Sequence, residues 1–239
     1  LTDTEKELGV TLMDIGSGTT CIAIFEEGAI IYSASIPLGG NSITSDIAIG
    51  LQVSLEDAEK IKVNMSDILD NKCNVKKGKD MDSTPALLRR ADEPVEKKTK
   101  SDEVDLSDFG VEKSVSKEMI QKIVEARCEE IFEMAKENVS KAGYDIAMPA
   151  GVVLTGGSAL LRNITKLTQS VFGVAARVGY PSGLSGMTEE ISDPSFACVQ
   201  GLIKHALDDD VDISGNEKGK VNVNGFFEKV GEWFKSLLP

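Results

Sequence analysis

Residues 10–32 read VTLMDIGSGTTCIAIFEEGAIIY, and their centre, Asp14-Ile15-Gly16-Ser17-Gly18-Thr19-Thr20, joins two apolar runs through one carboxylate, two glycines and a row of hydroxyls. The runs have the length and composition of strands, and Glu26-Glu27-Gly28 separates the second from a third with a glycine able to adopt positive φ. Strands are therefore expected at 9–14, 19–25 and 29–36, the last two forming a hairpin. A turn that wraps an anion needs glycine where the chain takes positive φ or where a Cβ would strike the ligand, and its amide N–H groups can converge on that anion. Gly16 and Gly18 meet that requirement, and Ser17, Thr19 and Thr20 add hydroxyl donors. A carboxylate repels phosphate, so Asp14 fits such a turn through a divalent cation, Mg with its water shell. Taken alone, the motif reads equally as a tight structural turn in which Asp14 caps backbone amides.

Further along, Pro37-Leu38-Gly39-Gly40 closes the meander and a helix is expected over about 43–50. Ser54-Leu55-Glu56-Asp57 has the capping-box pattern of a helix that runs to about 63. On it Glu59 and Lys62 are three apart and share one side, either to bond a ribose or adenine edge or to form a surface ion pair. From Ser116 a long amphipathic helix is expected, with Ile120, Ile123, Val124, Ile131, Phe132, Ala135 and Val139 at three-or-four spacing and Gly143 placed to end it. The stretch AGVVLTGGSALLRNITKL, 150–167, has the order buried strand, Gly-Gly turn, amphipathic helix. Gly156, Gly157 and Ser158 there expose bare backbone and a helix N-terminus to which nucleotide atoms could come close, though a strand-to-helix turn also needs glycine for its own geometry. A short strand near 175–178 and a helix over about 194–207 follow.

The 239 residues, 41% apolar and 27% charged, suffice for one sizeable core or two smaller ones. A net charge of −13 argues against nucleic acid as a partner. Cys21, Cys73, Cys128 and Cys198 are scattered, without a C-x-x-C pair and with His205 the single histidine, so four buried reduced thiols are expected rather than a metal site. No apolar run approaches a membrane span and no basic-then-apolar leader opens the chain, which points to the cytoplasm. The stretch from about 71 to 113 is rich in Lys, Asp, Glu and Ser and reads as a solvated excursion. Residues 208–224 read as a flexible acidic linker and 225–239 as one more helix. On that helix Phe226, Phe227, Val230, Trp233, Phe234, Leu237 and Leu238 cover one face and Glu228, Lys229, Glu232 and Lys235 the other, a pattern suited to a membrane interface or to packing on a core.

Asp14-Ile-Gly-Ser-Gly-Thr19, Ala58-Glu59-Lys60-Ile61-Lys62 and Val153-Leu154-Thr155-Gly156-Gly157-Ser158 resemble the phosphate and adenosine elements of the actin-like ATPase superfamily. Within it, the segments IPLGGNSITSDIAIGLQVSLEDAEKIKV, IVEARCEEIFEMAKE, PAGVVLTGGSALL and VGYPSGLSGMTEEISDPSFACVQGL resemble those of the bacterial cell-division FtsA family, in the same order, over most of 1–207 apart from the charged insert. The resemblance implies an α/β fold, the actin-like (ribonuclease H-like) second half: a mixed sheet with flanking helices plus a small α+β subdomain. The expected divisions are a core subdomain from 1–63 and 116–190, an inserted small subdomain over 64–115, a helix over 191–207 crossing to a first half, the linker 208–224 and the helix 225–239.

The resemblance further implies ATP with Mg held by Asp14, Gly16, Ser17, Gly18, Thr19, Thr20, Glu59, Lys62, Gly156, Gly157 and Ser158, with Asp14 reaching Mg through water. It implies binding of the FtsZ C-terminal peptide through Arg127 and Glu130, self-association into actin-like filaments, and a peripheral place on the cytoplasmic face of the inner membrane at the division septum. The chain starts at Leu1 rather than Met and resembles only the second half of such proteins, so a fragment is expected, with no catalytic residue of its own and at most weak ATPase activity. Other actin-like ATPases, whether sugar-kinase-like or chaperone-like enzymes or pilus-assembly proteins of the PilM type, share parts of the pattern.

Overall fold

The computed structural model of the chain describes residues 1–70, 103–107, 114–183 and 191–208. Most of the charged insert, the stretch beyond 208 expected to be a linker and the helix expected over 225–239 lie outside the described residues. The chain divides into two units, Leu1–Cys198 and Val199–Pro239, and the sheets with the helices packed on them belong to the first.

A short helix α1 (Asp3–Leu8) precedes β1 (Val10–Ile15), β2 (Thr20–Glu26) and β3 (Ala29–Ile36). The three strands pair antiparallel as an up-and-down meander. Glu27 and Gly28 both take positive φ (51° and 78°), the paired left-handed geometry a two-residue hairpin loop needs. Then come α2 (Gly40–Leu51), α3 (Leu55–Val63), α4 (Met65–Leu69), the pair β4 (Glu103–Asp105) and β5 (Ser114–Ser116), and the long α5 (Lys117–Lys141). β6 (Val152–Thr155), a 3-10 turn (Gly157–Leu160), α6 (Ile164–Phe172), β7 (Ala176–Val178), a second 3-10 turn (Pro194–Phe196) and α7 (Ala197–Asp208) complete the order. The main sheet runs β3-β2-β1-β6-β7, antiparallel through β1 and parallel from β1 to β7, while β4 and β5 form a separate two-stranded sheet.

Strand alternation sends Met13, Ile15, Ile22, Ile24, Ile36 and Leu154 to one face, all at most 2% exposed, where α5 packs beside α2 and α6. Cys128, Phe132, Ala135 and Val139 of α5 are buried in that cluster, as are Val104 and Leu106 from around β4. The opposite face carries Leu12, Cys21, Ala23 and Phe25, paired Leu12 with Ala23 and Asp14 with Cys21 across β1 and β2.

The expectation of four buried thiols is corrected here. Cys128 is buried and its thiol is pushed by that burial up to about 12, but Cys21 and Cys198 are exposed, Cys21 because its strand parity places it away from the core, while Cys73 lies outside the described residues. Two short helices were not expected. α1 buries no residue, so no apolar period announces it, although Thr2 and Glu5 form a reciprocal capping box. α4 is five residues long, too short for a period to show. The helix expected directly after the Gly-Gly turn begins only at Ile164, because the 3-10 turn and Asn163, at φ +62°, intervene.

Candidate nucleotide site

β1 ends at the glycine turn, and the turn is held by main-chain bonds. Gly16 N–H donates to Thr19 O (2.9 Å), and the first two amides of α2 donate back into the turn, Gly40 N to Gly16 O (2.9 Å) and Asn41 N to Ser17 O (2.7 Å). Gly39 is glycine by necessity, since a Cβ there would lie 2.6 Å from Gly16 O and 2.8 Å from Ser17 O. Gly16 and Gly18 do not take the positive φ the turn was expected to need. A Cβ on Gly16 would approach Thr19 O at 3.2 Å, while one on Gly18 would meet nothing within 4 Å. Thr20 is buried and its hydroxyl donates to Leu38 O (2.9 Å), tying β2 to the segment before α2.

Asp14 stands half-buried beside this turn, and among the described residues no donor or cation pairs with it. The reading of Asp14 as a cap on backbone amides is thus not what the fold displays. Desolvation pushes its carboxyl above the ordinary range.

The second turn stands next to it because β1 and β6 pair in parallel, Asp14 opposite Thr155. Gly156 takes φ +83° and a Cβ there would press on the Asp14 carboxylate and on Ile15 O, at 2.6 Å from the latter. Its N–H donates to Pro194 O (3.1 Å), and Asp193 caps the turn at 194–196 by accepting from Ser195 N (2.9 Å). Gly157 differs: it is exposed, its φ is ordinary, and a Cβ would meet only Ser195 Cβ at 3.8 Å.

Glu59 and Lys62 form an ion pair of 2.7 Å, yet not the exposed kind, for the Lys62 side chain is only 11% exposed. Its ammonium also donates to Gly40 O (3.1 Å) and Thr44 Oγ1 (2.9 Å), which matches its three N–H donors to three acceptors. Burial pushes the Glu59 carboxyl up, but the bonds from Lys62 and from the Thr44 hydroxyl (2.5 Å) outweigh it and hold the group below its ordinary range. Lys62 therefore braces α3 against the start of α2, and Glu59, half-exposed, keeps its other oxygen.

These elements enclose a cavity of about 850 Å³. Its polar wall includes Gly16, Ser17, Asn41, Glu59, Gly157 and Ser158, and its apolar wall Val63, Met65, Leu160 and Leu161. Of the expected residues, Asp14, Gly18, Thr19, Thr20 and Gly156 are not part of that lining. Gly40 and Asn41 were absent from the expected set because the helix was expected to start at 43, which left its first turn out; the Gly39-Gly40 pair was the available signal, whereas Thr44 lay inside the expected helix and its bonds to Glu59 and Lys62 come only from the packing of α3 on α2.

Arg127 and Glu130 lie apart from the cavity, on α5. The Arg127 guanidinium grips Asp46 of α2 with two nitrogens (2.5 and 2.9 Å) and reaches Glu130 with a third (2.6 Å). One turn along, Ile123 packs where a Cβ on Gly50 would lie, so α2 and α5 meet in a close seam that is charged at Arg127–Asp46 and apolar at Gly50–Ile123. Ile49 of α2 (76% exposed) and Met119 of α5 (44% exposed) are apolar residues left exposed on these two helices.

Comparison with known proteins gives the family and the fold. A family model described as cell division protein FtsA matches residues 11–201. Among curated proteins, the cell division protein FtsA of Pseudomonas aeruginosa is 33% identical over 207 residues, covering 87% of this chain and 44% of that protein. The one from Agrobacterium fabrum is 31% identical over 239 residues, covering 98% and 49%. The chain thus spans about half the length of the curated relatives it matches. Among solved structures, MreB 5 of Spiroplasma citri bound to AMPPNP aligns with a TM-score of 0.54 at 21% identity, covering 85% of this chain and 54% of that one. A PilM-PilN type IV pilus biogenesis complex aligns with a TM-score of 0.53 at 16% identity, covering 85% and 47%. The sheet order and flanking helices are those of the actin-like α/β fold.

Proposed function

The chain belongs to the FtsA family of cell-division proteins, and on that premise we propose that it binds ATP with Mg at the paired glycine turns, associates with its own kind into actin-like filaments, and links the C-terminal peptide of FtsZ to the inner membrane. One observation carries the nucleotide reading: a half-buried Asp14 carboxylate, without a partner among the described residues, next to turns that carry two exposed glycines, Gly18 and Gly157, for which the fold itself makes no demand. A desolvated carboxylate without a partner is costly, and a cation bridging it to phosphate removes that cost. Bare backbone at Gly18 and Gly157 leaves room for the phosphates, and Glu59 offers an acceptor to a ribose hydroxyl. Mg would supply charge neutralisation there, with Asp14 holding its water shell.

For the peptide, the outer face of α5 and α2 is the proposed surface: Arg127 and Glu130 supply charge there, and the exposed Ile49 and Met119 suit apolar side chains. Membrane attachment is assigned to the helix 225–239, outside the described residues, through Phe226, Phe227, Val230, Trp233, Phe234, Leu237 and Leu238; its apolar face is the support. Among the described residues no helix is long and apolar enough to cross a membrane. The place this gives the protein is peripheral, on the cytoplasmic face of the inner membrane at the septum.

Calorimetry at millimolar Mg·ATP tests the site. Gly18→Val and Gly157→Ala are expected to keep the thermal midpoint near that of the parent chain while weakening Mg·ATP at least tenfold. Unchanged affinity in both folded variants would remove the nucleotide from these turns.

A further inference from the structure

We infer that Cys21 faces the cation position beside Asp14, so that bound Mg·nucleotide shields its thiol and the two side chains together offer a thiophilic divalent cation such as Zn²⁺ a carboxylate–thiolate pair in place of Mg. The inference rests on the nucleotide reading proposed above and concerns the same turn. Cys21 of β2 is the direct antiparallel partner of Asp14 on β1. Side chains so placed leave the sheet on one face with their Cβ atoms about 5 Å apart. The surroundings of Asp14 are asymmetric. On the β6 side Gly156 lies so close that a Cβ there would press on the carboxylate. Thr155, opposite Asp14 in the parallel register, is buried and has its hydroxyl committed to Pro194 O (3.2 Å) and Gly179 O (3.4 Å). On the β2 side the neighbour is Cys21, which is exposed. The open approach to the carboxylate therefore lies on the side of the thiol.

Among the described residues the polar contact of this thiol is a weak one, to the Ser35 hydroxyl across β2 and β3 at 3.6 Å, so little holds it away from an incoming cation. Mg prefers oxygen ligands and keeps much of its water, so beside Mg the thiol borders the water shell rather than entering it. A thiophilic cation binds the thiolate directly, and the thiol proton passes to solvent as the metal–sulfur bond forms. Asp14 and Cys21 are two protein ligands where a closed zinc site takes four, and among the described residues no group of three or more His, Cys, Asp and Glu side chains could hold a metal ion. Phosphate oxygens and water must complete the set. The cation is therefore held together with nucleotide rather than by the protein alone.

The test labels the 239-residue chain with N-ethylmaleimide and follows modification of Cys21 by peptide-resolved mass spectrometry, with and without saturating Mg·AMPPNP. At least a fivefold slowing by Mg·AMPPNP is expected. In parallel, anisotropy titrations of a fluorescent AMPPNP analogue with Cd²⁺ or with Mg²⁺ give the ratio of the two affinities, Cd²⁺ serving as the thiophilic probe. Folded Cys21→Ser should lower the Cd²⁺ to Mg²⁺ ratio at least tenfold. Given saturable Mg·AMPPNP binding, an unchanged labelling rate overturns this inference alone, as does a folded Cys21→Ser that keeps the parent ratio. Absence of Mg·AMPPNP binding to the parent chain overturns the nucleotide reading and the inference together.

Discussion

Asp14 and Glu59 show how one residue type takes opposite characters at neighbouring places. Burial raises the Asp14 carboxyl and nothing among the described residues opposes it, whereas Lys62 and Thr44 hold Glu59 down. The signs for stability differ accordingly. Glu59 contributes stability that is present above its unfolded pKa and lost as pH falls through its lowered folded value. Asp14 binds its proton more tightly in the fold than in the unfolded chain, so its contribution is lost as pH rises through the raised value. Asp14→Asn is therefore expected to raise the thermal midpoint at pH 7 to 8. It should also weaken Mg·ATP at least tenfold and remove most of the Mg dependence of binding, measured by scanning calorimetry and by titration with and without Mg. A lowered midpoint would mean that the carboxylate has a structural partner. Because Mg needs the ionised carboxylate, acidification should weaken Mg·nucleotide at a higher pH than an ordinary aspartate would dictate.

The packing of α2 on α5 separates two roles within one small cluster of charges. Arg127 is 24% exposed and Asp46 26%, and their two-nitrogen contact joins residues 81 apart, so this pair belongs to the fold as much as to a partner. Glu130 is half-exposed and extends outward. Exposed pairs contribute about 0.2–1 kcal/mol, and the Arg127–Asp46 coupling is expected toward the upper end of that range because both groups are partly sheltered. Arg127→Glu places a third carboxylate beside Asp46 and Glu130 and should lower both the thermal midpoint and FtsZ-peptide affinity. Glu130→Gln should leave the midpoint within about 1 °C and weaken the peptide several-fold, since an exposed pair adds little to stability. Equal peptide affinity in parent and Glu130→Gln would place the peptide on another face.

For the whole molecule, the glycine turns and the α2–α5 seam belong to Leu1–Cys198, while the proposed anchor is carried by the separate stretch beyond it. A helix of about fourteen residues is marginal in water, so its folding at a membrane must draw on burial of its apolar face, roughly 25 cal/mol per Å² removed from water. Its polar face sums to zero charge, and vesicle binding should change little between low and high salt. Trp233→Glu should lower flotation with lipid vesicles sharply. Trp233 is the single tryptophan, so its emission should shift to the blue on adding lipid. Emission already blue and protected from quencher without lipid would show the helix packed on protein and end the anchor reading for this chain.

What neighbours in sequence control was legible from the sequence: the meander 10–36 and its two-residue loop, the cap at Ser54, the 25-residue α5 and the buried strand before Gly156. Strand length, hairpin signals, helical periodicity and capping act over one to seven residues, and they were enough, with the motifs, to place the chain in its family. Which glycines serve the fold and which stand clear for a ligand could not be read that way. Gly156 is confined by Asp14, 142 positions away, and Gly39 by the turn at Gly16, while Gly18 and Gly157 are confined by nothing close. Lys62 likewise became a brace only when α3 folded back on α2 and brought Gly40 and Thr44 beside it, and Arg127 found Asp46 only when α5 packed on α2. These contacts join segments far apart in the chain, and a side chain's partners there are set by how sheet and helices assemble rather than by the residues beside it in sequence.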